Sequence, residues 1–241
     1  MKLHCAGMRV IALGLLLAAA VAEAAGPSIG RASRITGDQS SSAQAPGAPV
    51  RKLGEGDLVF AGERIRTGAG TVLQIEFTDK SHFTLGPNTE FEVEQFSQAA
   101  GGSSGEEAFA SRVFKGAFRY VSGLIARRKH ENVRIYTTVA TIGIRGTHFE
   151  GEVTERHEKG GKTVDASARV ALLDPEGSDA NAIVVENKFG SVVIDKPGFG
   201  TEIPDEKSPP SPVKRMQLRT IENLQRSLRP PAGIGGPARR F

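Results

Sequence analysis

Thr71-Val72-Leu73-Gln74-Ile75-Glu76-Phe77-Thr78 sends Leu73, Ile75 and Phe77 to one side of an extended chain and Gln74, Glu76 and Thr78 to the other. Alternation with period two is the pattern of a strand with one buried face. It continues after the turn at Asp79-Lys80, where Phe83 and Leu85 alternate with His82 and Thr84. It continues again after Gly86-Pro87-Asn88, where Phe91 and Val93 alternate with Glu90, Glu92 and Glu94. Burying each of these large side chains stabilises the fold by ~1.5–3 kcal/mol, and a slip of one residue exposes the whole set. Three successive strands in tight register predict an all-β, antiparallel domain.

Upstream, Leu58, Phe60, Ile65 and Thr67 sit among turn formers at Gly54, Gly56-Asp57, Ala61-Gly62 and Gly68-Ala69-Gly70. Residues 25–49 are rich in Ala, Ser, Gly and Pro, which predicts a flexible segment with one short strand at Arg34-Ile35-Thr36. Downstream, Ser97 to Glu107 reads as a flexible loop, Phe109 to Val121 as a strand, and Arg127-Arg128-Lys129-His130 as a basic turn. Lys159-Gly160-Gly161-Lys162 reads as a hairpin turn, and Ala182–Glu186 and Ser191–Ile194 as two further strands joined through Asn187 to Gly190. No helical period occurs between residues 50 and 200.

Within that domain one stretch stands apart: Ala140-Thr141-Ile142-Gly143-Ile144-Arg145-Gly146-Thr147-His148-Phe149. Paired glycines inside a strand pattern suggest a bend, a bulge or a close approach of another chain. Arg145 between them has two readings. As a corner residue its five donors tie loop carbonyls together; as a contact residue it meets a partner.

The ends of the chain differ from its middle. Lys2 and Arg9, the apolar run Val10–Val21 and Ala22-Glu23-Ala24 together predict a cleavable secretory signal over residues 1–24, too short in its apolar run for a membrane span. Cys5 lies within it, so the exported chain has no disulfide or thiolate metal site. A cysteine-free exported chain with such a signal points to a bacterial periplasm. Residues 207–241 carry a side-chain charge of +7 and the signal +1, which leaves −4 for residues 25–206 out of the total of +4. The basic character belongs to the tail, and nucleic acid is excluded as a partner. After a Pro-rich linker over 201–212, Val213, Met216, Ile221, Leu224 and Leu228 fall on one side of a helix over 213–229, with Arg215, Arg219 and Arg226 on the other. Ser211 is placed as its N-cap and Pro212 at its first position. This basic amphipathic helix either packs on the β domain or docks on a membrane surface or partner. Residues 230–241 read as a disordered basic tail.

Enzyme chemistry finds no support. His82, His130, His148 and His157 lack zinc spacing. Ser81 and His82 are strand neighbours and point to opposite faces. No nucleophile elbow, phosphate loop or dinucleotide fingerprint appears, and no cofactor or metal site is predicted. The row Glu90, Glu92, Glu94 reads as the solvated face of an edge strand, or less simply as an attractor for a cation.

Gly62 to Gly68, Phe77 to Leu85 with Asp79, Lys115-Gly116-Ala117-Phe118-Arg119, and the stretch Ala140 to Phe149 with Gly143, Gly146, Thr147 and Phe149 together resemble the FecR domain over residues 50–200. This is the periplasmic domain of iron-citrate-type cell-surface signalling sensors. The resemblance implies an all-β, roll- or solenoid-like domain without enzymatic activity that senses or binds in the periplasm. Lys80 stands where the family often has glycine, and Thr138 where it often has proline. The sensors carry a cytoplasmic anti-sigma segment and a membrane helix ahead of this domain, so that role does not carry over. The expectation is an exported domain that binds a periplasmic or membrane protein partner in envelope signalling, through Arg145, Arg127 and Arg128 and through Arg215, Arg219 and Arg226 of the tail. The alternative is attachment to cell-wall glycan or the membrane surface.

Overall fold

The computed structural model describes residues 26–98, 106–173 and 182–230. The expected signal, most of the loop after Ser97 and all but the first residue of the basic tail lie outside the described residues. The chain opens with β1 (Ser28–Gly37), β2 (Ser41–Gln44), β3 (Arg51–Lys52), β4 (Leu58–Phe60) and β5 (Arg64–Thr67). The alternating stretch follows as β6 (Thr71–Phe77), β7 (His82–Leu85) and β8 (Glu90–Ser97), and then the longest strand, β9 (Ala108–Val121). A short helix α1 (Leu124–Arg128) and a 3-10 turn (His130–Asn132) lead to β10 (Val133–Tyr136), β11 (Thr141–Arg145) and β12 (His148–Thr154). The small hairpin β13 (His157–Lys159) and β14 (Lys162–Val164) precedes β15 (Ser167–Leu172), β16 (Ala182–Asn187), β17 (Gly190–Ile194) and β18 (Phe199–Ile203). The two-residue strand β19 (Lys214–Arg215) and helix α2 (Leu218–Ser227) end it.

Two sheets face each other across one core. The first runs β4-β1-β6-β7-β9-β12-β15-β18-β19. The second runs β3-β2-β5-β8-β9-β10-β11-β16-β17. β9 belongs to both. Its first half pairs with β8 and β10, its second half with β7 and β12, and Gly116, at φ +99°, lies where it passes from one sheet to the other. Among the described residues the sheets do not close into a barrel. Every pairing is antiparallel except β9 with β10, which is parallel because α1 carries the chain back along the sheet.

The alternating stretch behaves as its pattern predicts. Leu73, Ile75, Phe83, Leu85 and Phe91 are fully buried. The aromatic rings lock the sheets together: Phe83 lies 4.6 Å from Phe91 and 5.0 Å from Tyr120, and Phe77 lies 5.3 Å from Phe109, centroid to centroid. These are tilted and edge-on geometries that aromatic quadrupoles favour.

The structure departs from the sequence expectation at four places. Residues 28–44 form β1 and β2 where composition suggested a flexible segment, because small side chains such as Ala32 and Ala43 are wholly buried there. The basic turn at Arg127–His130 is a helix and a 3-10 turn, held by buried Asp79: Leu124 N donates to the Asp79 backbone carbonyl at 2.7 Å and Ile125 N to its carboxylate Oδ2 at 3.4 Å. β8 is paired on both sides, with β5 and β9, at Glu90 and Glu92, so these two are not on an edge, while Glu94 lies past the end of that pairing with β5 and at a bulge opposite β9. The tail helix starts at Leu218 rather than Val213, because Ser211 is held to Glu202 through two hydrogen bonds and Lys214 and Arg215 pair with β18. Met216, Leu224 and Leu228 are buried, so the apolar side of this helix packs on the first sheet. The hairpin turn at Gly160-Gly161 is as expected, both residues having positive φ.

Lys80 also has positive φ (+68°) in the turn that Asp79 organises by accepting from Ser81 N at 3.0 Å. A side chain there costs ~1–2 kcal/mol, and glycine returns ~0.5–1 kcal/mol of that as chain entropy. The exposed pair with Glu76 contributes little. Lys80→Gly is therefore expected to raise the unfolding free energy by about 0.5–1 kcal/mol, read as a higher urea midpoint. An unchanged or lower midpoint would show that the strain is absent.

Candidate functional site

The outer face of the second sheet is an array of cross-strand ion pairs. Arg64 reaches Glu90 and Glu92, each at 2.9 Å, and Arg66 reaches Glu90 at 3.1 Å. Burial raises the Glu90 pKa, yet the two guanidinium groups outweigh it and hold the carboxyl below its ordinary value. Arg112 pairs with Glu94 and Lys115 with Glu155, while the Arg64 guanidinium also stacks on Phe114 at 3.7 Å. The glutamate row is thus committed to the protein itself and leaves no carboxylate cluster for a cation. Among the described residues no group of three or more His, Cys, Asp or Glu could hold a metal ion.

The array changes character at β11. Ile142 and Ile144 point into the core, which sends Thr141, Gly143 and Arg145 outward. Three pairings place Arg134, Gly143, Val184 and Val193 side by side across β10, β11, β16 and β17. A Cβ at Gly143 would meet only Val184, at 3.9 Å, and Gly143 does not have positive φ. Neither crowding nor backbone conformation demands glycine there. Gly143 lines a groove of about 230 Å³ together with His130, Glu131, Arg134, Arg145, Val184 and Glu186 among others.

Arg145 is exposed at the rim of this groove, and its guanidinium has no hydrogen-bond or ion-pair partner among the described residues. Among the described residues it meets none of the loop carbonyls that the corner reading calls for. Its neighbour Arg134 is only loosely held, 3.5 Å from Glu186 with both side chains about half exposed. Gly143 continues the ladder without a bulge, while the bend falls at Gly146 (φ +58°).

The other candidates separate into two groups. Arg127 and Arg128 are exposed on α1, which packs beside β11, and Arg128 reaches Glu107 at 3.1 Å. Arg215 and Arg226 lie exposed on β19 and α2, associated with the first sheet, and the Arg219 side chain lies outside the described residues. The structure therefore sets α1 beside the strand that carries Arg145 and leaves the tail on the first sheet, but neither Arg127 nor Arg128 lines the groove. Asp79, Gly116, Thr147 and Phe149 are structural: Asp79 and Phe149 are fully buried, and Thr147 accepts from Ser122 N at 3.0 Å. Glu131, Val184 and Glu186 were not anticipated; the alternation of Ile183 and Val185 against Val184 and Glu186 was the available signal.

Residues 63–173 match the family model described as FecR protein. No curated protein matches the chain. Among solved structures, two crystal structures of a candidate anti-sigma factor from Parabacteroides distasonis ATCC 8503, at 2.50 and 1.65 Å resolution, are similar to it. Their identities are 11% and 10% and their TM-scores 0.47 and 0.46, over 66% of this chain. The match spans 62% of the length of those chains.

Proposed function

We propose that the protein, whose residues 63–173 match the FecR family model, is an exported, non-enzymatic module that binds a protein partner in envelope sensing or signalling. The observation that carries the reading is Arg145, an exposed guanidinium with no partner among the described residues, beside a groove that Gly143 helps to line. An arginine held ready at a surface suits recognition of a carboxylate, with two parallel hydrogen bonds setting orientation. The second sheet positions it rigidly, since β11 is paired on both sides.

Export rests on the N-terminal signal pattern, and the partner's compartment follows from it. The tail helix is not part of the proposed contact, because its apolar residues Leu224 and Leu228 are already buried on the domain.

The test separates contact from stability. Gly143→Val fills the groove in a strand position where β-branched residues are favoured, by up to ~1 kcal/mol. Its melting temperature is expected to stay the same or rise. A photo-crosslinker replacing His130, on the groove wall, is expected to trap a discrete protein in intact cells. The yield should fall at least tenfold in Gly143→Val and in Arg145→Ala. Undiminished crosslinking in both variants would remove the groove from the function.

A further inference from the structure

Among the described residues the two sheets end in four edge strands, and three of them are blunted. β3 is two residues long and both are cationic, Arg51 and Lys52; β19 is likewise two residues, Lys214 and Arg215. β4 has three residues, and Arg51 Nη2 occupies its Leu58 carbonyl at 2.7 Å. Short length and charge are the devices that keep edges from pairing with other chains.

β17 has neither. Gly190-Ser191-Val192-Val193-Ile194 is five residues long, uncharged and β-prone. It is joined to β16 by the two-residue turn Lys188-Phe189, which makes Asn187 and Gly190 the hydrogen-bonded pair that closes the hairpin. Val192 and Ile194 then also bond to β16, and the main-chain groups of Ser191 and Val193 face away from it. Among the described residues nothing bonds to those outward groups. Val193 is 53% exposed and Phe189, at the end of the strand, 44%. Val193 adjoins Val184, so an apolar strip leads from this edge to the groove at Gly143.

We propose that β17 is a strand-addition edge: an extended segment of the partner protein, with apolar residues at alternate positions, pairs with Ser191 and Val193 and extends the second sheet. This rests on the partner-binding reading above and states its mode. Main-chain hydrogen bonds supply affinity in such recognition, and alternate side chains supply specificity. Here the alternate side chains meet Val193 on the outer face and Phe189 at the strand end. A second copy of this chain is a poorer occupant, because a five-residue edge falls well short of the ~1,200–2,000 Å² that stable associations bury. β16 and β17 lie beyond residues 63–173, so the edge is a feature of this chain outside the matched family region.

The test uses the full-length protein in intact cells, with benzoylphenylalanine replacing Phe189 in one version and His130, on the groove wall, in another. The Phe189 probe is expected to trap one other protein through a single segment of alternating apolar residues, mapped by mass spectrometry. Ser191→Pro removes an outward N–H without breaking a bond to β16. It should lower that yield at least tenfold while the melting temperature moves by only a few degrees. Val193→Lys, which charges the edge and needs no backbone adjustment, should do the same. Crosslinking at His130 but not at Phe189, or a Phe189 yield indifferent to both substitutions, would overturn strand addition and leave partner binding standing. Silence at both probes would bring down both. A product containing two copies of this chain would make β17 a self-association edge and overturn the proposal.

Discussion

Arg119→Met is expected to destabilise the protein by about 3 kcal/mol at neutral pH and by far less near pH 4. The reason lies on the outer face of the first sheet, opposite the proposed contact. Glu150 points away from the core on β12, yet its side chain is wholly buried, whereas Arg119 on β9 remains about one-third exposed. Arg119 donates to Glu150 Oε1 through Nε at 2.7 Å and through Nη2, while Oε2 has no hydrogen-bond partner among the described residues. Ala171, directly across the ladder from Glu150, packs with Met216 and Leu224, and α2 lies against β12.

Burial raises the Glu150 pKa above its ordinary value of 4.5, and the Arg119 guanidinium opposes the shift without cancelling it. The folded state therefore binds this proton more tightly than the unfolded chain does. Stability from this group is fully present below the ordinary carboxylate value and is lost as pH rises through the raised one. Methionine preserves the packing of the arginine stem and removes the charge, so the variant's carboxyl is raised further and the loss at neutral pH grows. Partial exposure of Arg119 keeps the cost at the lower end of the ~3–5 kcal/mol typical of a broken buried pair. Urea unfolding at pH 7 and at pH 4 checks this. Equal losses at the two values would mean that the charge of Glu150 is not what Arg119 supports.

The strands that sequence alone locates are those whose buried side chains are large. Leu73, Ile75, Phe77, Phe83 and Phe91 announce their face because a strand buries every second residue and these residues are unmistakable. β1 and β2 escape because part of their burial is carried by Ala32 and Ala43, which read equally well as linker. α1 escapes because its five residues are too few to show a helical period. The ion pairs of the second sheet are invisible for a different reason. Arg64 and Glu90 are far apart in sequence, and only register across β5 and β8 places them side by side. At the site, Ile142 and Ile144 already imply that Arg145 faces outward. What the residues cannot disclose is whether a glycine is crowded or open, since Gly116 and Gly143 look alike until their neighbours are known.

That difference gives the second large effect: Gly116→Val is expected to cost about 2–5 kcal/mol, whereas Gly143→Val costs nothing. Gly116 has φ +99°, a region that side chains rarely adopt, and a Cβ there would lie 2.2 Å from Thr89 Oγ1 and 2.6 Å from Thr89 Cα. The strain of positive φ contributes ~1–2 kcal/mol, and forcing atoms into an already filled site adds ~1–3 kcal/mol. Thr89 cannot simply swing aside. Its hydroxyl donates to the Ala117 carbonyl at 3.2 Å, and its N donates to Thr67 Oγ1 at 2.9 Å, whose hydroxyl in turn donates to the Gly86 carbonyl at 2.6 Å. Relief must therefore come from moving β9 itself. β9 is the one strand both sheets share, so a shift at residue 116 disturbs pairing with β8 on one side and with β12 on the other. Loss of stability should accordingly be global: unfolding followed by far-ultraviolet circular dichroism and by tyrosine fluorescence, which reports Tyr120 in the shared core and Tyr136 on β10, should shift together to lower denaturant. If the two signals separated, with only one sheet's half lost early, β9 would not be coupling the sheets. Thr89→Ala in the Gly116→Val background distinguishes the two sources of cost. It removes the Oγ1 clash but not the backbone one, so a small recovery is expected, and full recovery would show that the hydroxyl alone, rather than the turn of β9, requires glycine.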